Sequence, residues 1–133
     1  MSAPVLDCSV VCAWLLDDES VPEADAALEA AGRHGGLAPG LWWAELRNAL
    51  VMAERRSRLS PAQTAEALAE IEALGVTLDH TPDSGATLRL AREHRITIYD
   101  ALYVELAIRK QRQLATLDHA LRQAAEAEGI DIL

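Results

Sequence analysis

Short apolar runs alternate with helical segments along this chain, and the alternation leaves few folds open. The runs are APVLDC (3–8), GLAP (36–39), VTLDH (76–80), QLATLD (113–118) and IDIL (130–133), each four to six residues long. Between the first two lie SVVCAWLL (9–16), read as helix, and a helix opened by Ser20-Val-Pro-Glu23 that runs to about Arg33. LWWAELRNALVMAERRS (41–57) follows, then a helix from Ser60-Pro61-Ala62-Gln63 to about Leu74. Further helices run from Thr81-Pro82 to about His94 and from Tyr99 to about Gln111, and HALRQAAEAEG (119–129) closes the series. The Ser-x-x-Glu and Ser-x-x-Gln stretches are capping boxes, in which side chains satisfy the exposed N–H groups of a helix start. Strands joined by helices lie parallel, so the expected class is α/β, a parallel sheet covered on both faces in a single domain over residues 1–133.

The net charge of −9, from 12 basic and 21 acidic residues, argues against a broad basic face for nucleic acid. It fits a basic partner protein or a site that recruits divalent cations. Every basic residue except Lys110 is arginine, so phosphate contacts would be planar and bidentate. Cys8 and Cys12 form neither a CxxC pair nor half of a zinc site, and are expected to pack as small hydrophobes. No stretch approaches the ~20 apolar residues of a membrane span, and no signal peptide is apparent, so the expected location is cytoplasmic.

In an open parallel sheet, ligands bind beyond the carboxyl ends of the strands. Asp7 ends the first run and Asp118 the fourth, which places both on one sheet edge if their strands are central and parallel. Glu45 borders the apolar stripe Trp42, Leu46, Ala49, Ala53, and Asp100 heads a stripe continued by Val104 and Ala107. Singly, each acid has an ordinary structural explanation. Asp7 and Asp118 would be helix caps, Thr97-Ile-Tyr-Asp100 a capping box, and Glu45 a side chain reaching to solvent. Jointly, four inward-leaning carboxylates repel one another unless a cation joins them. All-oxygen donors select Mg2+ or Mn2+ over zinc, and such ions serve phosphate chemistry.

The same residues resemble a family. VLDCSVVCAWLLDDE is similar to the opening of a PIN domain, and APGLWWAELRNAL to its second motif, with Glu45 and Asn48 at E-x-x-N spacing. TIYDALYVELAIRKQRQLATLDHAL resembles the third and fourth motifs, with Asp100 opening a helix and Thr116-x-Asp118 ending the next strand. Size and motif order resemble VapC-type toxins of bacterial toxin–antitoxin pairs. The resemblance implies a three-layer α/β/α fold and a Mg2+- or Mn2+-dependent endoribonuclease that cuts structured RNA and blocks translation. Asp7, Glu45, Asp100 and Asp118 match its metal-holding acids, Ser9 and Thr116 its orienting hydroxyls, and Asn48 a nearby polar position. It also implies a homodimer, and an antitoxin whose C-terminal segment occupies the groove and forms higher assemblies with it; any DNA binding would come from that antitoxin. One departure stands out. Many relatives carry a further acid after the fourth motif, whereas His119, Ala120 and Leu121 follow Asp118 here, which favours one well-held ion with a second recruited with RNA.

Other features carry less. Arg55, Arg56 and Arg58, and Arg109, Lys110 and Arg112, end helices, where they favour the helix dipole. Arg89, Arg92 and Arg95 follow helical spacing, and some of these groups would contact phosphates in an RNA-binding reading. Trp42 belongs to the core stripe, while Trp43 lies off it and is a candidate for a dimer or antitoxin surface. His34, His80, His94 and His119 lack partners at metal-ligand spacing, and Gly35-Gly36 is a break rather than a phosphate loop. A receiver-type phosphoacceptor domain is a second reading, with Asp79 as acceptor, but it lacks an early acidic pair and Lys110 lies inside a helix. A D-x-D phosphotransfer site fails because position 9 is serine. A non-catalytic PIN-like binding module is the third.

Overall fold

The computed structural model describes residues 2–16 and 21–133. The described residues form strands β1 (Val5–Leu6), β2 (Gly36–Pro39), β3 (Val76–Asp79) and β4 (Leu114–Ala115). They also form helices α1 (Cys8–Leu16), α2 (Pro22–His34), α3 (Trp42–Arg55), α4 (Pro61–Glu72), α5 (Ser84–His94), α6 (Ile98–Lys110) and α7 (His119–Ala127). The sheet is parallel throughout in the order β3-β2-β1-β4, with Val5 opposite both Leu37 and Leu114. IDIL contributes one parallel bridge, Ile132 beside Leu114, rather than a full strand.

Given this order, the right-handedness of parallel crossovers assigns the helices to the two faces of the sheet. The chain steps outward from β1 to β2 to β3 through α1–α4, then returns past β2 and β1 to β4 through α5 and α6. One helical layer is therefore built on α6, which packs on β1, β2 and β4 with α5 and α7 beside it, and the other holds α1 with α2 and α3. The fold is a three-layer α/β/α sandwich, and its direction of winding reverses between β1 and β4. Val5, Leu6, Val10, Leu46, Leu50, Leu90, Tyr103 and Leu114 fill the core with no exposed surface.

Several local starts follow the sequence. Ser60 and Gln63 complete both halves of the α4 capping box, and Thr97 caps α6. Ser20 lies outside the described residues, and α2 begins at Pro22 after Val21. Helix α5 starts at Ser84 rather than at Thr81-Pro82, because Asp83 Oδ1 accepts the Ala86 N–H at 2.8 Å while Thr81 turns back to Asp79. Cys8 is buried as expected, with its Sγ 3.4 Å from that of Cys12 one helical turn on. Trp42 is buried and Trp43 is 54% exposed under the Arg47 guanidinium. Among the described residues no helix is long and apolar enough to cross a membrane.

Candidate metal centre

Strand β1 delivers Asp7 to the carboxyl edge of the sheet, where the chain turns at once into α1. Asp7 is only 7% exposed, and two hydroxyl groups meet it there. Ser9 Oγ and Thr116 Oγ1 each donate to Asp7 Oδ2 at 2.7 Å. Thr116 follows β4, so this bond spans the winding reversal. Thr116 Oγ1 also accepts the Asp118 N–H at 3.0 Å, and Ser9 Oγ accepts the Leu117 N–H at 2.9 Å. Together these bonds lace the ends of β1 and β4 into one rim. Among the described residues no side chain donates to the other carboxylate oxygen, Asp7 Oδ1.

Glu45 comes from the first turn of α3, half-buried at the border of the stripe Trp42, Leu46, Leu50, Ala53. The fully buried Tyr103 of α6 donates its hydroxyl to Glu45 Oε1 at 2.5 Å. Asp100, also half-buried, opens α6 with its N–H on Thr97 Oγ1 at 3.1 Å. Asp118 is exposed and caps α7, its Oδ1 accepting the Leu121 N–H at 2.9 Å. Asn48 is exposed one turn beyond Glu45. The cap roles of Asp118 and Thr97 are thus real, and they hold alongside the cluster rather than instead of it.

The electrostatics tie the four acids together. Burial pushes the Asp7 carboxyl above its usual range; the Thr116 and Ser9 bonds hold it back, and Asp118 pushes it further. Burial raises Glu45 as well, opposed by the Tyr103 bond and reinforced by Asp7 and Asp100. Asp100 is raised by burial, then by Asp118 and Asp7, and Thr97 offsets part of the rise. Each of these carboxylates meets other carboxylates and neutral donors.

Some acids elsewhere are paired with arginine. Arg109 grips Asp79 with two bonds, at 2.6 and 3.2 Å, and holds its carboxyl below the usual range. The acceptor that a receiver-type domain requires is therefore already engaged. Glu93, His94 and Glu128 bring three ligand atoms within 4.8 Å of one another, the one such group among the described residues. Arg89 pairs with both glutamates there, and His94 Nε2 lies 2.7 Å from Glu128, a partnership that linear spacing hid. The sheet-edge acids are spread more widely than that group, and among the described residues none of them forms an ion pair with arginine.

An open, all-oxygen donor set of this kind suits a hard divalent cation. Mg2+ keeps several of its waters and takes only one or two protein carboxylates directly, so it needs no closed cage. Asp7, with Oδ2 tied by two hydroxyl groups and the Cys8 N–H also acting on its carboxylate, is the natural anchor, and Glu45, Asp100 and Asp118 couple to it or to one another. The sequence pointed to all four acids and to both hydroxyls. It passed over Tyr103, although its place three residues after Asp100 on a buried face marks a phenol that must find a partner.

The model of the family described as PIN domain matches residues 5–127. The crystal structure of PAE2754 from Pyrobaculum aerophilum is similar to this chain with a TM-score of 0.72 at 22% sequence identity. The match covers 96% of this chain and 92% of that one, and at this identity it speaks for the fold. No curated protein matches the chain.

Proposed function

This chain belongs to the PIN domain family, whose members are typically metal-dependent nucleases, and from that premise we propose that it is a Mg2+- or Mn2+-dependent endoribonuclease. One observation carries the reading: at the reversal between β1 and β4, the place where open α/β sheets bind ligands, Asp7, Glu45 and Asp100 are influenced by one another and by Asp118, with no cationic side chain among the described residues that act on them. Asp7, Asp100, Asp118 and Glu45 are the residues that would hold the ion. The chemistry that a divalent cation would supply there is polarisation of the phosphodiester and partial neutralisation of charge on its oxygens. Ser9 and Thr116 fix the Asp7 rotamer, and one of the four acids also takes the proton of the attacking water.

The substrate class is structured RNA, cut in the cytoplasm. The further role is that of a toxin, homodimeric and held inactive by an antitoxin whose basic segment complements the acidic edge, with Trp43 as a contact on one of those surfaces. The test is to incubate purified protein with structured RNA, with Mg2+ or Mn2+ in one arm and a chelator in another, beside Asp7→Asn. Discrete cleavage that needs metal and disappears in the variant is expected. Cleavage that survives both chelator and Asp7→Asn would remove the site assignment, and a folded protein that binds metal but cuts no RNA would favour a binding module.

A further inference from the structure

Glu45 is the least secured of the four acids by its own backbone position. It reaches the sheet edge on a long side chain from a half-buried position on α3. Asp7 and Asp100 repel it there, and such a side chain at the border of an apolar stripe turns readily to solvent. Among the described residues, one hydrogen bond to its carboxylate opposes that escape: the 2.5 Å bond from Tyr103. Tyr103 is itself immobilised, with no exposed surface, and it sits on α6 three residues after Asp100.

We propose that Tyr103 is a positioning residue for the metal centre, and that its hydroxyl holds the Glu45 carboxylate inward against the repulsion of Asp7 and Asp100. The inference rests on the reading of the sheet-edge acids as metal-holding. The bond occupies Oε1 and leaves Oε2 for the site. It also joins α3 to α6, so the acid of one helix is set in register with the acid of the other. The aromatic ring packs the core whether or not the hydroxyl is present, which makes the two roles separable: Tyr103→Phe keeps the packing and removes only the donor.

The experiment is a titration of Mn2+ into metal-free protein without RNA, following free Mn2+ by electron paramagnetic resonance. It compares wild type, Tyr103→Phe, Glu45→Gln, the double variant and Asp7→Asn, with the thermal midpoint recorded for each. Tyr103→Phe is expected to bind Mn2+ roughly tenfold more weakly, the range in which outer-shell partners of metal ligands act. In the Glu45→Gln background, the same change should alter affinity less than about twofold, because residue 45 no longer offers the anionic oxygen that Tyr103 would orient toward the ion. Wild-type affinity in Tyr103→Phe overturns the proposal, as does an equal loss in both backgrounds, which would mean a general packing effect. Asp7→Asn separates the two claims. If it weakens binding and Tyr103→Phe does not, only the positioning role falls; if it binds as wild type, the metal-centre reading falls with it.

Discussion

Asp7 and Asp79 lie at the carboxyl ends of β1 and β3 in one sheet, yet Asp79 faces a guanidinium and Asp7 faces two hydroxyl groups. Neutral donors only partly replace water around a buried charge, so in the metal-free protein Asp7 costs stability when ionised. The sign follows from its raised pKa. The protonated form favours the native state, so the contribution of Asp7 is full at low pH and is lost as pH rises through the folded-state value. Asp7→Asn is therefore expected to raise the thermal midpoint of metal-free protein at pH 7, by a few degrees for about 1 kcal/mol, and to lose that advantage near pH 4. Thermal unfolding at the two pH values measures it; a midpoint lowered at pH 7 would contradict it. The acids were legible in sequence because each stands at a strand end or on a helical stripe, where a charge is conspicuous. Tyr103 was not, because a phenol within an apolar stripe looks like core until its partner on another helix is known.

Helix α6 carries Asp100 and Tyr103 at its start and is fixed at its far end by a second set of charges. Glu105, 2% exposed, accepts from Arg109 Nε at 2.9 Å and from the Asp83 N–H at 3.1 Å, and Arg109 reaches on to Asp79. The network binds α6 to the end of β3 and to the start of α5. Arg109→Met leaves Glu105 buried without its cation, so a loss of roughly 3 kcal/mol at pH 7 is expected. The Asp79 carboxyl is held low by Arg109, so its share of stability is present above the ordinary carboxylate range and disappears as pH falls through the folded-state value. The gap between wild type and Arg109→Met in denaturant unfolding should thus narrow toward pH 3; a gap independent of pH would contradict the pairing. Element types were readable because capping residues and apolar spacing are local properties. Strand length was not: the extended runs at 3–8 and 113–118 pair only at Val5–Leu6 and Leu114–Ala115, since the chain turns into α1 and α7 immediately beyond. The α5 start was misplaced for a related reason, two competing acids within a few residues, of which Asp83 took the cap and Asp79 the arginine.

Over the whole molecule, the alternation of strand and helix was enough for an α/β fold, but not for the order β3-β2-β1-β4. That order is a long-range property, and it is what sets β4 beside β1 and brings Thr116 and Asp118 to Asp7. It also gives the net charge of −9 a meaning beyond solubility. Outside the sheet edge, Asp79 and Glu128 are paired with arginine, while at the edge Asp7, Glu45 and Asp100 are raised by burial and by neighbouring carboxylates. The central claim is that these unneutralised carboxylates share a divalent cation. The most direct measurement is the Mn2+ affinity of the metal-free protein across Asp7→Asn, Glu45→Gln, Asp100→Asn and Asp118→Asn, with Asp79→Asn as the paired-acid control. The account predicts weakening of about tenfold or more in Asp7→Asn, a marked loss in each of the other three, and wild-type affinity in Asp79→Asn. Equal, slight weakening in all five would mean that Mn2+ answers only to overall negative charge, and would contradict the claim.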